Sequence, residues 1–406
     1  FIFPFYRNKD LKFIFKKLQE GIPEDKVAAR FVGGCVRKYL SNEKIDDIDI
    51  ATTLTTDQIK EKFKDTNFKV IDTGLKHGTV TIVSENHKVE LTTLRKDIKT
   101  DGRHAEVEYT DDWKKDSERR DFTINAIYMD INGKLFDPQM GTIDLKNKNI
   151  KFIGDPQKRI EEDYLRIIRF IRFKVMYDIV VEPTTSDAIK QNLDGIQKIS
   201  KERILIELFK ILDLKNFLTI NESSNLRKIF SMIFPEFLYL NRLERLKKIY
   251  QYSKVNVDIL LAVLLIDEKD NHEYFIHKYN APNKTKEILR KFNKNLIQLK
   301  NDKEFFEKNL IKNVYLNGKN HLIALNFINF SINSKMKRND FSKTLNKIFR
   351  IKTPKFPIDG ETLKQKGMQE GRSLGNVLKT LEKEWINNNF KISNERVEEI
   401  IKVNSN

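Results

Sequence analysis

The sequence predicts an α+β fold, with an N-terminal head that contains a mixed or antiparallel sheet with helices, followed by all-α domains. Short β-rich runs with period-two alternation occupy the region from about residue 28 to residue 137. After about residue 155, apolar residues recur at i, i+3 and i+4. A chain of 406 residues exceeds one ordinary domain, and 39% hydrophobic residues are enough to build cores. We therefore expect a globular protein with several domains.

The head begins with strand-like segments that Gly, Asn and Asp separate. These segments are ARFVG, IDIATT, FKVIDTG, GTVTIVS and KVELTTL. A hairpin is predicted at Asn132-Gly133, which lies between two apolar runs. Helices are predicted in DLKFIFKKLQEG and in TTDQIKEKFKD, the latter opening with a Thr/Asp cap.

The rest of the chain is predicted to be helical. The helical segments are RIEEDYLRIIRFIRFKVMY, ERILIELFKILDL, LERLKKIYQYS and VDILLAVLLID. Near residue 351, prolines and a glycine in IKTPKFPIDGETL indicate a boundary before a small helical end domain. We expect a head at 1–150, a helical neck at 151–214, a helical body at 215–350 and a helical tail at 351–406.

Basic residues are concentrated in the second part of the chain. Residues 1–150 hold 27 Lys and Arg against 26 Asp and Glu, whereas the remainder holds 48 against 32. The formal net charge is +17, and its position favours a polyanion, most simply a nucleic acid, along the rear domains. The alternative is a compositional preference for Lys, Asn and Ile, which the NKN, KNK and NNN runs would also reflect.

The single cysteine, Cys35, excludes an intramolecular disulfide and a cysteine-rich metal site. It suits a reducing compartment, and we predict a cytoplasmic protein. No apolar run reaches the roughly 18–20 residues that cross a bilayer, so no membrane partner is expected. The opening stretch lacks the features of a signal peptide. Because the chain starts at Phe1, we expect the native N-terminus to lie upstream.

A glycine turn and a pair of aspartates stand close together in FVGGCVRKYLSNEKIDDIDIATT. Gly33-Gly34 after a strand can present adjacent N–H groups to an anion, and Arg37 adds a cation. Asp47 and Asp49 share one face of a strand because side chains alternate with period two, whereas Asp46 faces the other way. Two close carboxylates repel unless a cation neutralises them, and hard oxygen ligands select Mg²⁺. A polar edge strand is the alternative.

Two further segments carry polar residues that fit the same chemistry. Glu90 lies in the apolar strand KVELTTL and is either ion-paired or a third metal-binding carboxylate. In ERRDFTINA, Arg120 can bind phosphate and Asp121 can accept a hydrogen bond from a ribose hydroxyl. Asp121 could equally serve as a helix N-cap.

Charged residues recur every three positions at Asp163, Arg166, Arg169 and Arg172, and we expect them on one helix. An exposed stripe with i, i+3 ion pairs is one interpretation. However, Ile and Phe fill most of the intervening positions, which favours a partly enclosed stripe whose arginines need acidic or phosphate partners. An Asp–Arg pair places an acceptor beside a donor. Such a pair could select adenine and cytosine, and would reject guanine and uracil.

In order and in spacing, these segments resemble the class II tRNA nucleotidyltransferases (CCA-adding enzymes) of bacterial type, in the polymerase β nucleotidyltransferase superfamily. The resemblance is strong over residues 28–210 and weak in the tail segment PIDGETLKQKGMQEGRSLGNVLKTLEKEW. Its motifs are GGCVRKYL…DDIDIATT, TGLKHGTVTIV, VELTTLRKDIKTDGRHAEVEYTDDW, RRDFTINAIYMD, FDPQMGTIDL, GDPQKRIEEDYLRIIRFIRF and SKERILIEL.

The resemblance implies a role for each candidate residue. The implied catalytic residues are Asp47, Asp49 and Glu90, of which Asp47 and Asp49 bind Mg²⁺. The implied nucleotide-binding residues are Gly33, Gly34, Arg37, Arg120, Asp121, Asn125, Asp163, Arg166, Arg169 and Arg172. Asp121 would meet the ribose, Asp163 and Arg166 would select the base, and Arg169 and Arg172 would lie near the phosphates.

The resemblance also assigns supporting segments. The motif around Asp137, Gly141 and Asp144 resembles the hinge between head and neck, and ERILIEL resembles a stabiliser of the neck helix. The segment from Arg95 to Trp113 resembles a flexible loop that helps to switch specificity from CTP to ATP. Lys38 stands where the family usually has an acid, which weakens the case for a supporting contact there and leaves the metal pair unaffected.

The implied activity is template-independent addition of C, C and A to the 3′ end of tRNA from CTP and ATP with Mg²⁺. The implied partner is the acceptor and TΨC arms of tRNA, and no feature indicates a protein partner. Narrower outputs remain alternatives: CC addition, A addition or poly(A) synthesis. Two other classes are less favoured. Intact Asp47, Asp49, Asp121, Asp163 and Arg166 argue against a silent RNA-binding protein. A metal-dependent phosphohydrolase would need His–Asp metal clusters, whereas His77 in KHGTV is expected to be a structural or loop-supporting residue.

Overall fold

A computed structural model of the chain describes residues 7–74, 78–85, 87–101, 104–177, 181–252 and 255–404. Side chains are described throughout these ranges except at 97–101, 104–107 and 404. The chain divides into two compact units, Phe1–Pro235 and Glu236–Asn406. The four predicted domains remain a prediction, and His77 lies outside the described residues.

The first unit contains the sheet and its flanking helices. Its strands are β1 Ala29–Val32, β2 Ile48–Thr52, β3 Lys69–Gly74, β4 Thr79–Val83, β5 Lys88–Thr93, β6 Arg95–Asp101, β7 His104–Tyr109, β8 Tyr128–Met129 and β9 Leu135–Phe136. Its helices are α1 Lys9–Gln19, α2 Gly34–Leu40, α3 Thr56–Phe63, α4 Trp113–Glu118, α5 Gly141–Lys146, α6 Pro156–Glu162, α7 Leu165–Tyr177, α8 Pro183–Gln191, α9 Lys201–Leu212 and α10 Ser224–Ile233.

The main sheet is mixed, as the sequence predicted. The strand order is β3-β4-β5-β2-β1-β8-β9. The β2–β5 pair is parallel, whereas the other neighbours are antiparallel. The β8–β9 hairpin forms at the predicted site, where Gly133 has φ 86°. Thr55 caps α3 in a capping box with Gln58, which satisfies two otherwise orphaned backbone N–H groups.

The two faces of β1 and β2 have different roles. Phe31, Ile48 and Ile50 are buried on one face in a core with residues of α1 and α3. Asp49 alternates with these apolar residues and therefore lies on the opposite face of β2. The strand thus buries one face while it presents a carboxylate on the other.

The segment from Arg95 to Trp113, which was predicted to be a flexible loop that helps to switch specificity, contains two strands, and its role stays a prediction. Strands β6 and β7 pair with each other as an antiparallel ribbon, separate from the main sheet. In sequence, β6 (RKDIKTD) has one apolar residue, whereas β7 (HAEVEY) alternates Ala, Val and Tyr with polar residues, a strand signal that the prediction did not use. Residues 102–103, which connect β6 to β7 in the sequence, lie outside the described residues.

The second unit is helical over the residues that the structure describes. Its helices are α11 Leu243–Lys247, α12 Val257–Leu265, α13 Asn271–Tyr279, α14 Asn283–Asn301, α15 Leu310–Asn317, α16 Lys319–Ile332, α17 Arg338–Arg350, α18 Gly360–Gln365, α19 Arg372–Asn387 and α20 Asn394–Asn404. Every residue from Ile259 to Leu265 is buried, so α12 forms the centre of this unit. In the described part of the chain, no helix combines the length and the apolar character that crossing a membrane requires.

Gly141, at the start of α5, is packed against backbone. A Cβ at this position would lie 2.1 Å from the Thr123 carbonyl oxygen, which has no freedom to move away. We expect Gly141→Ala to lower the free energy of unfolding by about 1–3 kcal/mol through overpacking. Gly375→Ala is the matched control, because its Cβ would meet nothing within 4 Å in α19. That change should raise stability by about 0.5–1 kcal/mol, and thermal unfolding of both variants measures the difference.

Candidate active site

One cavity in the first unit collects the predicted site residues. Its volume is about 640 Å³, and every predicted site residue except Glu90 lines it. The cavity wall also includes residues that the sequence had not indicated: Arg95, Arg119, Phe173, Met176, Lys210, Asp213 and Leu214. Segments as distant in the chain as the glycine turn and helix α9 therefore meet around a single space.

The glycine turn connects β1 to α2 at one end of this cavity. Gly33 has φ 73°, a left-handed conformation that favours glycine. Arg37, one turn into α2, is buried although it is charged. It donates hydrogen bonds to the Tyr177 hydroxyl at 3.0 Å and to the Asn125 side-chain oxygen. The Phe173 ring lies 4.8 Å from its guanidinium carbon. These contacts aim the arginine into the cavity.

Asp47 immediately precedes β2 and Asp49 is the second residue of that strand, and both line the cavity, as predicted. Asp47 is exposed and Asp49 is half-buried. Burial raises the pKa of Asp49 to about 6, with a further contribution from Glu90, while Arg120 acts in the opposite direction. The neighbouring cations therefore leave the charge of this carboxylate uncompensated, which fits a site for a divalent cation.

Glu90 lies beside Asp49 in the parallel register of β2 and β5. It is exposed and does not line the cavity. Within the described residues, no three His, Cys, Asp or Glu side chains form a group that could hold a metal ion. Metal binding would therefore rest on Asp47 and Asp49, and the role of Glu90 as a third ligand remains a prediction.

Removing the charge of Asp49 should stabilise the metal-free fold. The pKa of Asp49 is raised to about 6 in the folded protein, whereas its unfolded pKa is near 4. Below pH 4 the carboxyl is protonated in both states and the fold keeps its full stability. As pH rises through 6 the buried carboxyl ionises, and this stability is lost. We expect Asp49→Asn to unfold at a higher temperature than the unsubstituted protein at pH 7 in chelator, and at the same temperature near pH 4. Thermal melts across this range measure the effect, and equal slopes for both proteins would contradict it.

Asp46 lines the same cavity as Asp47 and Asp49, so the prediction that it faces the other way is not confirmed. Its side chain is 62% exposed and forms an ion pair with Lys38. Lys38, which replaces the acid usual in the family, thus has a local acidic partner of its own.

Asp121 is buried and holds two neighbours. Its Oδ1 accepts a hydrogen bond from Asn125 at 3.0 Å, and its Oδ2 lies 2.8 Å from Arg169. Burial alone would raise the pKa of Asp121, but Arg169 and Asn125 lower it overall. The N-cap alternative is wrong, because the short helix at Thr123–Asn125 begins after Phe122 and has no side-chain cap.

The residues predicted to select the base do not lie on one helix, contrary to the prediction from the sequence. Asp163 ends α6 with an extended backbone, φ −154°, and only the arginines lie on α7. Asp163 pairs with Arg203 at 2.7 Å rather than with Arg166. Arg166 is buried and pairs with Glu162 at 2.6 Å. Both residues nevertheless line the cavity, so an acceptor and a donor face the same space.

The arginines of α7 are enclosed and acid-paired, which confirms the partly enclosed stripe. Arg172 pairs with Glu207 at 2.8 Å. Glu207 and Arg203 stand four residues apart on α9, within ERILIEL, and this motif thus contacts both Arg172 and Asp163. The sequence indicated a stabilising helix but not which side chains it holds.

The predicted hinge motif is a compact hydrogen-bonded turn. Asp137 accepts hydrogen bonds from the backbone N–H groups of Gly141 and Thr142, both at 2.8 Å. Asp144 accepts one from the Thr123 hydroxyl at 2.7 Å. Because Thr123 follows Asp121 closely, this turn supports the segment that holds the ribose-binding candidate.

Two protein-family models match the first unit, and the second of them extends into the first residues of the second unit. The Poly A polymerase head domain matches residues 29–151, and the probable RNA and SrmB-binding site of polymerase A matches residues 178–240. The first match covers the sheet, and the second covers helices that follow α7.

Full-length relatives and solved structures give the same result. The chain is 34% identical to the mitochondrial CCA tRNA nucleotidyltransferase 1 of Homo sapiens, over 95% of this chain and 89% of that protein. It is 32% identical to the CCA-adding enzyme of Staphylococcus haemolyticus, over 84% and 81%. The Bacillus stearothermophilus CCA-adding enzyme in complex with CTP superposes with a TM-score of 0.70 at 25% identity, over 96% and 95%. The Thermotoga maritima CCA-adding enzyme complexed with tRNA gives 0.60 at 25% identity, over 97% and 95%.

These similarities extend over nearly the whole chain and include the sheet, the cavity and the helices that follow it. This chain therefore belongs to the CCA-adding tRNA nucleotidyltransferase family.

Proposed function

We propose that this chain adds C, C and A to the 3′ end of tRNA, using CTP and ATP and releasing pyrophosphate at each addition. The observation that carries this proposal is the single cavity, in which a glycine turn, two aspartates, buried arginines and an Asp–Arg donor–acceptor set converge. Relatives solved with CTP, with ATP and with tRNA support these substrates.

The cavity has separate places for the parts of a nucleoside triphosphate. The triphosphate would lie at the glycine turn, with Arg37 and Arg120 as cationic partners. The ribose would meet Asp121, and the base would meet Asp163 and Arg166. A ribose hydroxyl that is present in NTP and absent from dNTP would donate a hydrogen bond to the Asp121 carboxylate. The site would therefore distinguish NTP from dNTP. Each part of the substrate thus has a group of matching chemistry.

Enzymes of this family use a divalent metal, and we infer that it is Mg²⁺ in this chain. Asp47 and Asp49 would hold it, because hard oxygen ligands and a nucleotide's own phosphates are what Mg²⁺ prefers. When bound, the metal supplies charge neutralisation at the reacting phosphate. The chain's own residues bind and orient the nucleotide, so that the tRNA 3′ oxygen attacks the α-phosphorus as its bond to pyrophosphate breaks.

The basic rear of the chain would hold tRNA through its phosphates. Residues 151–406 carry 48 Lys and Arg against 32 Asp and Glu. Contacts to phosphate carry no base information, so all tRNAs would be accepted. A-form RNA is recognised largely by shape and backbone. Such binding should weaken steeply with salt.

The test is to incubate the protein with tRNA that ends at the discriminator base and with labelled NTPs, singly and together, and then to sequence the products. We expect CTP alone to give two additions, and CTP with ATP to give CCA and then stop. Extension that ends at CC, that adds only A to a CC end, or that continues as poly(A) would replace full CCA addition with that narrower output. No extension by any NTP would refute nucleotidyl transfer.

A further inference from the structure

Asp116 is a completely buried carboxylate that the proposed mechanism does not use. Its side chain is 0% exposed, and cationic or hydroxyl groups contact both of its oxygens. Oδ1 lies 2.8 Å from Arg119, and Oδ2 lies 3.1 Å from Arg120 and 2.7 Å from the Tyr128 hydroxyl. Burial would raise the pKa of Asp116, but Arg120 and Arg119 hold it well below its usual range. The carboxylate is therefore a permanent anion that fixes two cavity arginines.

The same carboxylate also holds the first residue of the β6–β7 ribbon. Oδ1 of Asp116 accepts a hydrogen bond from the backbone N–H of Arg95 at 3.2 Å. Arg119 Nε donates to the Arg95 carbonyl at 3.1 Å. Arg95 itself lines the cavity. The beginning of the ribbon and the phosphate-binding candidate Arg120 thus share one anchor.

Arg159 continues these contacts toward the base-selecting residues. Its Nη2 donates to the backbone carbonyls of Arg119 and Arg120, both at 2.6 Å. Its Nη1 lies 2.5 Å from Glu162, and Arg166 in turn donates to Glu162 and to the Arg159 carbonyl, both at 2.6 Å. Buried polar groups of this kind have few alternative partners, so the geometry of each depends on the next.

We propose that Asp116 and Arg159 are positioning residues that hold the ribbon, Arg120 and Arg166 in one arrangement and thereby set the selectivity for the nucleotide base. Neither side chain belongs to the cavity wall, so both act through the residues that do. The inference rests on the proposed function, since it assumes that Arg166 selects the base. It adds a physical connection between the ribbon and the base-selecting site.

The test compares Asp116→Asn and Arg159→Lys in the full chain. Each change keeps the size of the side chain but removes contacts: Asn cannot pair with two arginines, and Lys cannot span two carbonyls and a carboxylate. We measure kcat and KM for CTP, ATP, GTP and UTP on tRNA. Displacing Arg166 slightly should reduce the preference for CTP and ATP over GTP and UTP roughly tenfold or more.

The control for burial of a carboxylate is Glu236→Gln. Glu236 is a fully buried acid in the second unit, paired with Lys278 at 2.7 Å. The Glu236→Gln variant should lose thermal stability without a change in nucleotide preference. If Asp116→Asn does not fold, Arg159→Lys and Tyr128→Phe, which removes one donor from Asp116, carry the test.

Three results decide the proposal. An equal loss of activity with all four nucleotides, or unchanged selectivity in a folded variant, would overturn it. If the two residues act as one connected unit, the double variant Asp116→Asn/Arg159→Lys should have the same selectivity as the single variant with the lower selectivity. Independent, multiplying effects would overturn the connection between the two residues.

Equilibrium binding of the four nucleotides without tRNA separates this inference from the proposed function. If the unsubstituted protein extends no tRNA, the proposed function fails. The binding preference and its loss in the variants still decide whether Asp116 and Arg159 position the base-selecting site.

Discussion

Asp49→Ala should reduce nucleotide incorporation into tRNA by at least about a thousandfold, because several kcal/mol of charge stabilisation would be lost. Asp49 lies on the cavity face of β2, and burial raises its pKa to about 6, with Glu90 adding to the effect. Removing this carboxylate leaves Asp47 as the remaining member of the metal pair. Binding of tRNA should stay nearly unchanged, since the basic residues of the rear domains are untouched. Single-turnover incorporation and a filter-binding titration measure the two quantities.

The matched control for Asp49→Ala is Asp72→Ala. Asp72 is an exposed carboxylate on the edge strand β3 of the same sheet, paired with Lys60 at 2.8 Å. An exposed ion pair of this kind contributes about 0–1 kcal/mol to stability, and Asp72 does not line the cavity. Activity within about twofold of the unsubstituted protein is expected for this variant on that basis. If Asp49→Ala retained activity, Asp49 would not be a metal ligand.

Local geometry explains why the convergence of Asp47 and Asp49 on one cavity could be predicted from sequence. Period-two alternation along DIDIA predicts that Asp47 and Asp49 face the same side, and both line the cavity. The glycine turn is similarly local, since Gly33 has the positive φ that the turn requires. These features depend on a few consecutive residues, so a single sequence contains them.

Partnerships between elements could not be predicted in the same way. Asp163 pairs with Arg203, and Arg172 with Glu207, because α9 packs on α7. The spacing of charges in sequence is the same whether a helix continues through Asp163 or breaks there. No proline or glycine marks the break between α6 and α7. Ion pairs across forty residues are set by tertiary packing, which local periodicity does not encode.

Asp116 is a further example of the same limit. In KKDSERRD it has the neighbours of an ordinary exposed charge. Its burial follows from the position of Tyr128 on β8, whose hydroxyl lies 2.7 Å away and whose ring packs against Trp113 at 5.5 Å. The two arginine partners lie three and four residues along the chain, whereas the contact with the Tyr128 hydroxyl comes from a strand that is separate in sequence.

Asp163→Ala should reduce discrimination against GTP and UTP on the order of 100-fold, because a site that selects by hydrogen bonding loses its selectivity when an acceptor is removed. In the structure, Arg203 holds the Asp163 carboxylate at 2.7 Å, and the extended backbone at residue 163 places it between α6 and α7. The acceptor is therefore fixed before a nucleotide arrives. Misincorporation with each single NTP, scored by sequencing the extended tRNA ends, measures the change.

The control for Asp163→Ala lies two residues away. Glu161 is an exposed carboxylate on α6 that accepts a hydrogen bond from the Gln157 side chain and does not line the cavity. Glu161→Ala therefore removes a nearby charge and leaves the cavity wall unchanged. Selectivity should then be unchanged. Arg203→Met tests the orientation of the acceptor separately, because it leaves Asp163 in place but removes its 2.7 Å partner. An intermediate loss of selectivity would show that a fixed carboxylate is required, whereas unchanged discrimination in both Asp163→Ala and Arg203→Met would assign base selection to Arg166 alone.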